Sequence, residues 1–344
     1  MKIALFNTMS PFVRGGAEIL VDDLHEQLLQ RGHSVALFRI PFPENYETGL
    51  LRLVTAAKIL DFSDYDAVIS FKFPAYCAVH RKNVLWFFHQ FRQVYELFGT
   101  EYGIANDETG RALKEIITQI DTISIGSAAK AFTNAYEVTN RLKKYNGLDS
   151  EVLNPPLQQA HRYHCNDFGD YIYYPSRITN LKRQHLAIQA MKYVKTKAKL
   201  YIDGRCSEPD YLDKLKELIR KNHVEQKVVL NNSWVSDKEK IEKMADCLAV
   251  MYIPLKEDSC GFVTMEGFYS SKPVISCLDS GGTKEFIEDG VTGLFAEPDP
   301  FCIAKCIDTL CEDKAAAKKM GQNALQYITD RNITWDETIR RLLT

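Results

Sequence analysis

The stretch Asp258-Ser-Cys-Gly261-Phe-Val-Thr-Met-Glu266, with Lys272-Pro-Val-Ile275 close behind it and Gly281-Gly-Thr-Lys-Glu285 after that, decides how the chain folds. An acidic residue, a glycine three positions on and a second carboxylate eight positions on describe a loop feeding a helix. The apolar run that follows describes a buried strand. A carboxylate on such a helix can accept hydrogen bonds from both hydroxyls of a vicinal diol, such as a ribose, side by side. Glu266 is the residue expected to do so. Backbone amides around Cys260, Gly261, Phe262 and Val263 are candidates for contacts with sugar and phosphate groups. An ordinary acidic loop before a helix would leave the glycine spacing and the Lys-Pro-Val-Ile run unexplained.

Outward from this stretch, short apolar runs alternate with helical patterns. Ile3–Phe6, Val35–Phe38, Ala67–Ser70, Val84–Phe88, Thr122–Ile125 and Glu151–Leu153 are the strands expected in the first half. Ile172–Tyr174, Leu200–Ile202, Val228–Leu230, Leu248–Ile253, Val274–Ser276 and Leu294–Ala296 repeat the cycle in the second. Such alternation predicts parallel sheets wrapped by helices, an α/β class. A first helix from about Gly16 to Arg31 places Leu20, Leu24 and Leu28 on one face. Ser236-Asp-Lys-Glu239 has capping-box spacing and opens a helix carrying Ile241, Met244 and Ala245. In Tyr211–Ile219, Leu212, Leu215, Leu218 and Ile219 stand at helical spacing and predict a core face. Paired prolines at Pro155-Pro156 and the aperiodic polar segment after them mark the hinge between the halves.

The 344 residues exceed what one core supports, so two domains are the natural division. A net charge of −2 gives no reason to expect a nucleic-acid partner. No run is long and apolar enough for a membrane span. The start, Met1-Lys-Ile-Ala-Leu-Phe6, enters a strand without a cleavage-type segment, which predicts a cytosolic chain. The nine cysteines form no CxxC pair, and most are expected to be small buried thiols. Cys302 and Cys306 stand four apart, but Ile303, Ile307 and Leu310 beside them describe a core face rather than a metal site. Asp64-Tyr-Asp66 spells the Asp-x-Asp pair that holds divalent cations, yet it precedes a strand instead of following one, and is expected to be solvated.

On the residues from Asp258 to Glu285, nearly the whole chain resembles the retaining glycosyltransferases of glycosyltransferase family 4 (glycosyl transferases group 1). These have the GT-B fold, two Rossmann-like α/β domains facing each other across a cleft. The resemblance implies an N-terminal, acceptor-binding domain at 1–157 and a donor-binding domain at 158–328. A C-terminal helix at 329–344 is expected to pack back on the first. The family signature is a pair of glutamates separated by seven residues. Asp258 stands where the first is expected, one methylene shorter, and neighbouring Glu257 can substitute if the loop shifts by one residue.

The resemblance extends to other positions. Arg177-Ile-Thr-Asn-Leu-Lys182 follows the first strand of the second half, and relatives bind the donor diphosphate with an Arg and a Lys at this spacing. Arg14-Gly15-Gly16-Ala17-Glu18 opens the first helix, and Gly15 and Gly16 are expected to approach the donor phosphates and the acceptor. Trp86-Phe-Phe-His89-Gln-Phe-Arg92 ends an apolar strand. His89 is implied to sit near the reacting sugar, and Arg92 to meet an anionic acceptor. Backbone around Trp234 and Val235 is expected to contact the base.

The implied activity is retaining transfer from a nucleotide diphosphate sugar, a UDP-sugar slightly favoured over a GDP-sugar, to a glycan, lipid-linked or small-molecule hydroxyl. Arg177 and Lys182 balance the leaving diphosphate, so no metal or other cofactor is expected. His89, Arg177, Lys182, Asp258 and Glu266 are the catalytic set. A lipid-linked acceptor would bring the protein to the inner face of a membrane. A nucleotide-sugar epimerase and a non-catalytic nucleotide-sugar-binding protein are the alternatives. A dinucleotide oxidoreductase ranks below both, because the first turn lacks GxGxxG spacing. Neither the transferred sugar, the base, the acceptor nor the oligomeric state is set by these residues.

Overall fold

Among the described residues, twelve strands form two six-stranded sheets in which every pairing is parallel. The structure, a computed structural model, describes residues 1–11, 15–42, 49–257 and 259–344. It divides into two units, Met1–Pro156 with Ile333–Thr344, and Leu157–Asn332.

The first unit is built on β1 (Lys2–Met9), β2 (Ser34–Pro41), β3 (Ala67–Ser70), β4 (Asn83–Phe87), β5 (Lys130–Thr133) and β6 (Glu151–Val152), in the order β2-β1-β3-β4-β5-β6. All four residues of β3 and all five of β4 are buried, as expected of central parallel strands covered on both faces. Helices α1 (Gly16–Gln30), α2 (Leu50–Ile59), α3 (Glu108–Gly126) and α4 (Tyr136–Asn146) surround the sheet. Leu20, Val21, Leu24 and Leu28 form the buried stripe of α1. Asp64 and Asp66 are exposed ahead of β3, and Asp66 accepts from the Lys2 amide at 2.7 Å.

One expected strand is overturned. Thr122–Ile125 is the last turn of α3, where Thr122 Oγ1 bonds back to the Thr118 carbonyl at 2.7 Å. The fifth strand of this sheet is Lys130–Thr133, paired with Val84–Phe87.

The second unit carries β7 (Tyr171–Pro175), β8 (Lys199–Asp203), β9 (Val228–Asn231), β10 (Ala249–Met251), β11 (Val274–Cys277) and β12 (Gly293–Ala296), ordered β12-β11-β10-β7-β8-β9. This is the doubly wound order of nucleotide-binding sheets, with its reversal between β7 and β10. Its helices are α5 (Gln184–Ala190), α6 (Pro209–Lys221), α7 (Asp237–Asp246), α8 (Phe262–Tyr269), α9 (Pro300–Glu312) and α10 (Lys314–Asp330). Ser236 caps α7 by accepting from the Glu239 amide at 3.2 Å, and Ile241, Met244 and Ala245 form its buried face. Along α6 only Tyr211 and Leu215 are fully buried, and Leu212, Leu218 and Ile219 border that face.

The cysteines are less buried than expected. Cys77, Cys247, Cys260 and Cys277 are buried, Cys165 is exposed, and the other four are intermediate. Ile303, Ile307 and Leu310 fill the core side of α9, which leaves Cys302 and Cys306 on its margins. The last helix, α11 (Trp335–Leu343), belongs to the first unit. Trp335 meets Trp86 edge-on with ring centroids 6.2 Å apart, and Arg341 donates to the Val152 carbonyl at 3.1 Å. No helix among the described residues is long and apolar enough to cross a membrane.

Candidate active site

Strand order decides where a ligand of the second unit can sit. In a doubly wound sheet the crevice opens beyond the carboxyl ends of the two strands at the reversal, because connections leave them toward opposite faces. Here those strands are β7 and β10. The segment after β7 carries Arg177 and Lys182, and the segment after β10 carries Tyr252, Glu257 and Gly261. The Leu255 amide ties the two segments together by donating to the Leu181 carbonyl at 2.8 Å, and the Gly282 amide, after β11, donates to the Glu257 carbonyl at 2.9 Å.

Lys182 is the cation at this junction. Its ammonium donates to Tyr252 Oη at 2.6 Å and pairs with Glu257 Oε2, while Tyr252 Oη also donates to that carboxylate at 3.1 Å. Burial, and then the Glu257 charge, push the Tyr252 phenol well up, so it remains a donor. Arg177 is exposed, and its charge reaches the same phenol. Two glycines fix the loop. Gly281 has φ +65°, and a β-carbon there would stand 2.1 Å from the Glu257 carbonyl oxygen. Gly261, the N-cap of α8, has φ +74°, and its β-carbon would meet the Tyr252 ring at 2.6 Å. Directly behind Lys182, Arg183 is buried, donates to the Ile253 and Pro254 carbonyls, and holds Asp279 through two bonds of 2.7 Å.

A second polar centre lies on α8. Glu266 is 6% exposed, and its Oε1 accepts from Lys240 Nζ at 2.6 Å and from Tyr163 Oη at 2.9 Å. Burial followed by the Glu266 charge raises the Tyr163 phenol far above its ordinary range, which keeps it the donor. One turn further along α7, Lys243 pairs with buried Asp203 at 2.7 Å. Asp203 also accepts from Tyr173 Oη at 2.8 Å and Asn231 Nδ2 at 3.1 Å. Helix α7 thus supplies a cation to each of two buried carboxylates.

In the first unit, Gly15 caps α1, and its amide donates to Glu18 Oε2 at 3.0 Å while Lys72 pairs with Glu18 Oε1 at 2.7 Å. Burial works against the Glu18 charge, but Lys72 and the helix-start amides hold its carboxyl below the usual carboxylate range. Gly16 is the first helical residue. His89 is half-buried, with Nδ1 2.6 Å from the Gln90 carbonyl. Arg92 bonds Glu96 at 2.7 Å, and the same Glu96 oxygen takes Arg141 at 2.8 Å.

Residues 165–327 match the family model described as Glycosyl transferases group 1. The second unit is a group 1 glycosyl transferase domain. Over 112 residues the chain is 33% identical to the human alpha-1,3/1,6-mannosyltransferase ALG2, an alignment covering 33% of this chain and 26% of that protein. The chain spans between a quarter and a third of the first curated relatives it matches. Solved structures cover it end to end. A sucrose-phosphate synthase from Thermosynechococcus elongatus has a TM-score of 0.80 at 16% identity, over 99% of this chain and 97% of that one. Anabaena HepE, crystallised with UDP and glucose, has a TM-score of 0.71 at 18% identity, over 100% and 98%. The fold is therefore that of the GT-B glycosyltransferases.

Within the group 1 domain, Lys182 and the Gly261 turn converge, and Cys260 is buried beside that turn. Phe262 and Val263 are half-buried in the first turn of α8. Glu266 lies further along the same helix with its own partners. Trp234, 68% exposed, and half-buried Val235 lead into α7. Asp258 lies outside the described residues; Glu257, the alternative first acid, is paired with Lys182. Tyr252, Tyr163 and Lys240 escaped sequence reasoning. Tyr252 carries a usable signal, since a tyrosine just past a buried strand needs a partner for its hydroxyl.

Proposed function

We propose that the chain is a retaining, metal-independent glycosyltransferase of the family 4 type, taking a sugar from a nucleotide diphosphate carrier to a hydroxyl of a glycan or lipid-linked acceptor. The observation that carries this is the meeting of Lys182 with the Tyr252–Glu257–Gly261 segment at the sheet reversal of a group 1 domain. As the glycosidic C–O bond breaks, negative charge grows on the departing diphosphate, and Lys182 with exposed Arg177 is suited to balance it. The acceptor oxygen forms the new bond to the anomeric carbon on the face the diphosphate leaves, and its proton passes to the departing phosphate oxygen. Arg177 and Lys182, the latter by turning from Glu257 to the ligand, would balance the diphosphate charge without a divalent ion.

Glu266 is assigned to the ribose hydroxyls, backbone near Trp234 and Val235 to the base, and His89 and the Gly15–Gly16 turn to the sugar and acceptor side. Arg92 serves an anionic acceptor group only by sharing its charge with Glu96. A UDP-sugar is favoured over a GDP-sugar, in keeping with the UDP bound by HepE, and the mannosyltransferase likeness favours a glycan or lipid-linked acceptor. Such an acceptor would place the protein at the cytoplasmic face of a membrane. Thermal unfolding with UDP, GDP and ADP and their sugars tests the donor. A ligand at about 100 times its Kd stabilises by about 2.7 kcal/mol. One nucleotide should shift the transition, and Lys182→Ala should abolish most of that shift and of turnover while the chain still folds. Normal turnover in that variant would refute the role of Lys182.

A further inference from the structure

The ribose assignment meets an obstacle in the geometry of Glu266. An ionised carboxylate oxygen accepts about two good hydrogen bonds, and Oε1 already takes Lys240 Nζ at 2.6 Å and Tyr163 Oη at 2.9 Å. A diol gripped side by side, one hydroxyl on each oxygen, would have to displace one of these donors. Both are set by their surroundings. Lys240 extends from α7, whose register is fixed by buried Ile241, Met244 and Ala245 and by the Ser236 cap. Tyr163 follows the 3-10 turn Ala160–Arg162, and its phenol remains protonated beside the carboxylate. Among the described residues, none bonds Oε2.

We propose that Lys240 and Tyr163 are positioning residues that saturate Oε1 of Glu266, so that ribose hydroxyls are received on Oε2 alone. This rests on the assignment of Glu266 to the ribose and goes beyond it. The ammonium offsets the cost of holding a carboxylate at a site that is only 6% exposed. The two fixed donors stop the carboxylate rotating, so Oε2 keeps one direction. Lys240 is thereby a determinant of ribose over deoxyribose selectivity without touching the ligand. A neutral side chain at 240 leaves Oε1 with Tyr163 as its one remaining donor and the buried carboxylate free to turn.

The test compares UDP and GDP with their 2′,3′-dideoxy forms by calorimetric titration of the full chain. The wild type should prefer the ribonucleotide by about tenfold or more, the size expected of hydrogen bonds to a charged acceptor. Lys240→Ala should cut that preference to about two- or threefold, mainly by weakening the ribonucleotide, and Lys240→Arg should restore most of it. Tyr163→Phe should lower it by a smaller factor. Lys243→Ala, on the same helix but paired with Asp203, should leave the ratio unchanged whatever it does to stability. If Lys240→Ala weakens both forms equally, Lys240 only supports the fold and the proposal falls, with the donor assignment untouched. If the wild type does not discriminate, Glu266 does not hold the ribose and the proposal falls with that role. Binding of neither nucleotide would overturn the UDP- or GDP-sugar reading of the donor, and the proposal with it.

Discussion

Asp121→Asn should remove a pH dependence of stability that the fold builds into its first unit. Asp121 is fully buried on α3, where Oδ1 accepts from Tyr76 Oη and Oδ2 from Tyr95 Oη, each at 2.7 Å. Tyr76 sits in the turn Ala75–Cys77 after β3, and Tyr95 follows the turn Arg92–Val94 after β4, so one carboxyl ties down two strand-end segments. Burial pushes the acid from 3.8 up to about 7, against the two phenol bonds, which favour the ionised form. Between these values the native chain holds a proton that the unfolded chain has released. Folding then takes up a proton, and stability falls as pH rises. At about 1.4 kcal/mol per unit over roughly three units the loss approaches about 4 kcal/mol, of which about 2 kcal/mol falls between pH 5.5 and 8.5. Asparagine keeps the shape, accepting from one phenol and donating to the other, and has no proton to lose. Denaturant unfolding followed by fluorescence of buried Trp86 should show the variant gaining on the wild type by about 2 kcal/mol across that interval. Parallel stability curves for the two proteins would refute the reasoning.

Two further substitutions probe the group 1 domain. Gly261→Ala puts a methyl 2.6 Å from the Tyr252 ring at a residue with φ +74°, so it should cost about 1–3 kcal/mol and weaken nucleotide binding by displacing a partner of Lys182. Unchanged melting and unchanged affinity, measured together, would contradict this. Arg183→Ala should destabilise by about 3 kcal/mol in chemical denaturation, because it orphans the Ile253 and Pro254 carbonyls and leaves Asp279 without its bidentate partner. A loss under about 0.5 kcal/mol, typical of an exposed pair, would show the guanidinium to be replaceable by solvent.

Most strands were readable because a parallel strand covered on both faces must be an unbroken apolar run, and Ala67–Ser70 or Val274–Cys277 has few other uses. The Thr122–Ile125 error has a physical cause. Three of the four residues in Thr-Ile-Ser-Ile are β-branched, and local propensity favours a strand. Tertiary packing prevails because Ile117, Asp121, Ser124 and Ile125 fall on one buried face of α3 at helical spacing. Asp121 conceals that face, since a carboxylate rarely marks a core position and is admitted here only by two tyrosines distant in sequence. The true strand, Lys130–Thr133, starts with an exposed lysine and is four residues long, too weak a pattern to compete.

The same limit governs the candidate site. Arg177, Lys182 and Glu266 stand out through the resemblance to family 4, whose motifs hang on strand ends that the sequence marks clearly. Their partners do not. Lys240 and Lys243 belong to a run of alternating charge, Asp237-Lys-Glu-Lys-Ile-Glu-Lys243, that describes a solvated helix face. Yet each flanks the apolar stripe of Ile241, Met244 and Ala245, and a lysine at that border can lay its stem along the core and carry its ammonium inward. What decides between solvent and core is the charge across the gap, and that charge comes from Glu266 and Asp203, far away in the chain. A cation bordering a helix's buried stripe therefore becomes informative only once the opposing strand and helix are known to deliver a buried carboxylate. This is why the selectivity assigned to Lys240 emerges from the fold and not from the spacing of residues.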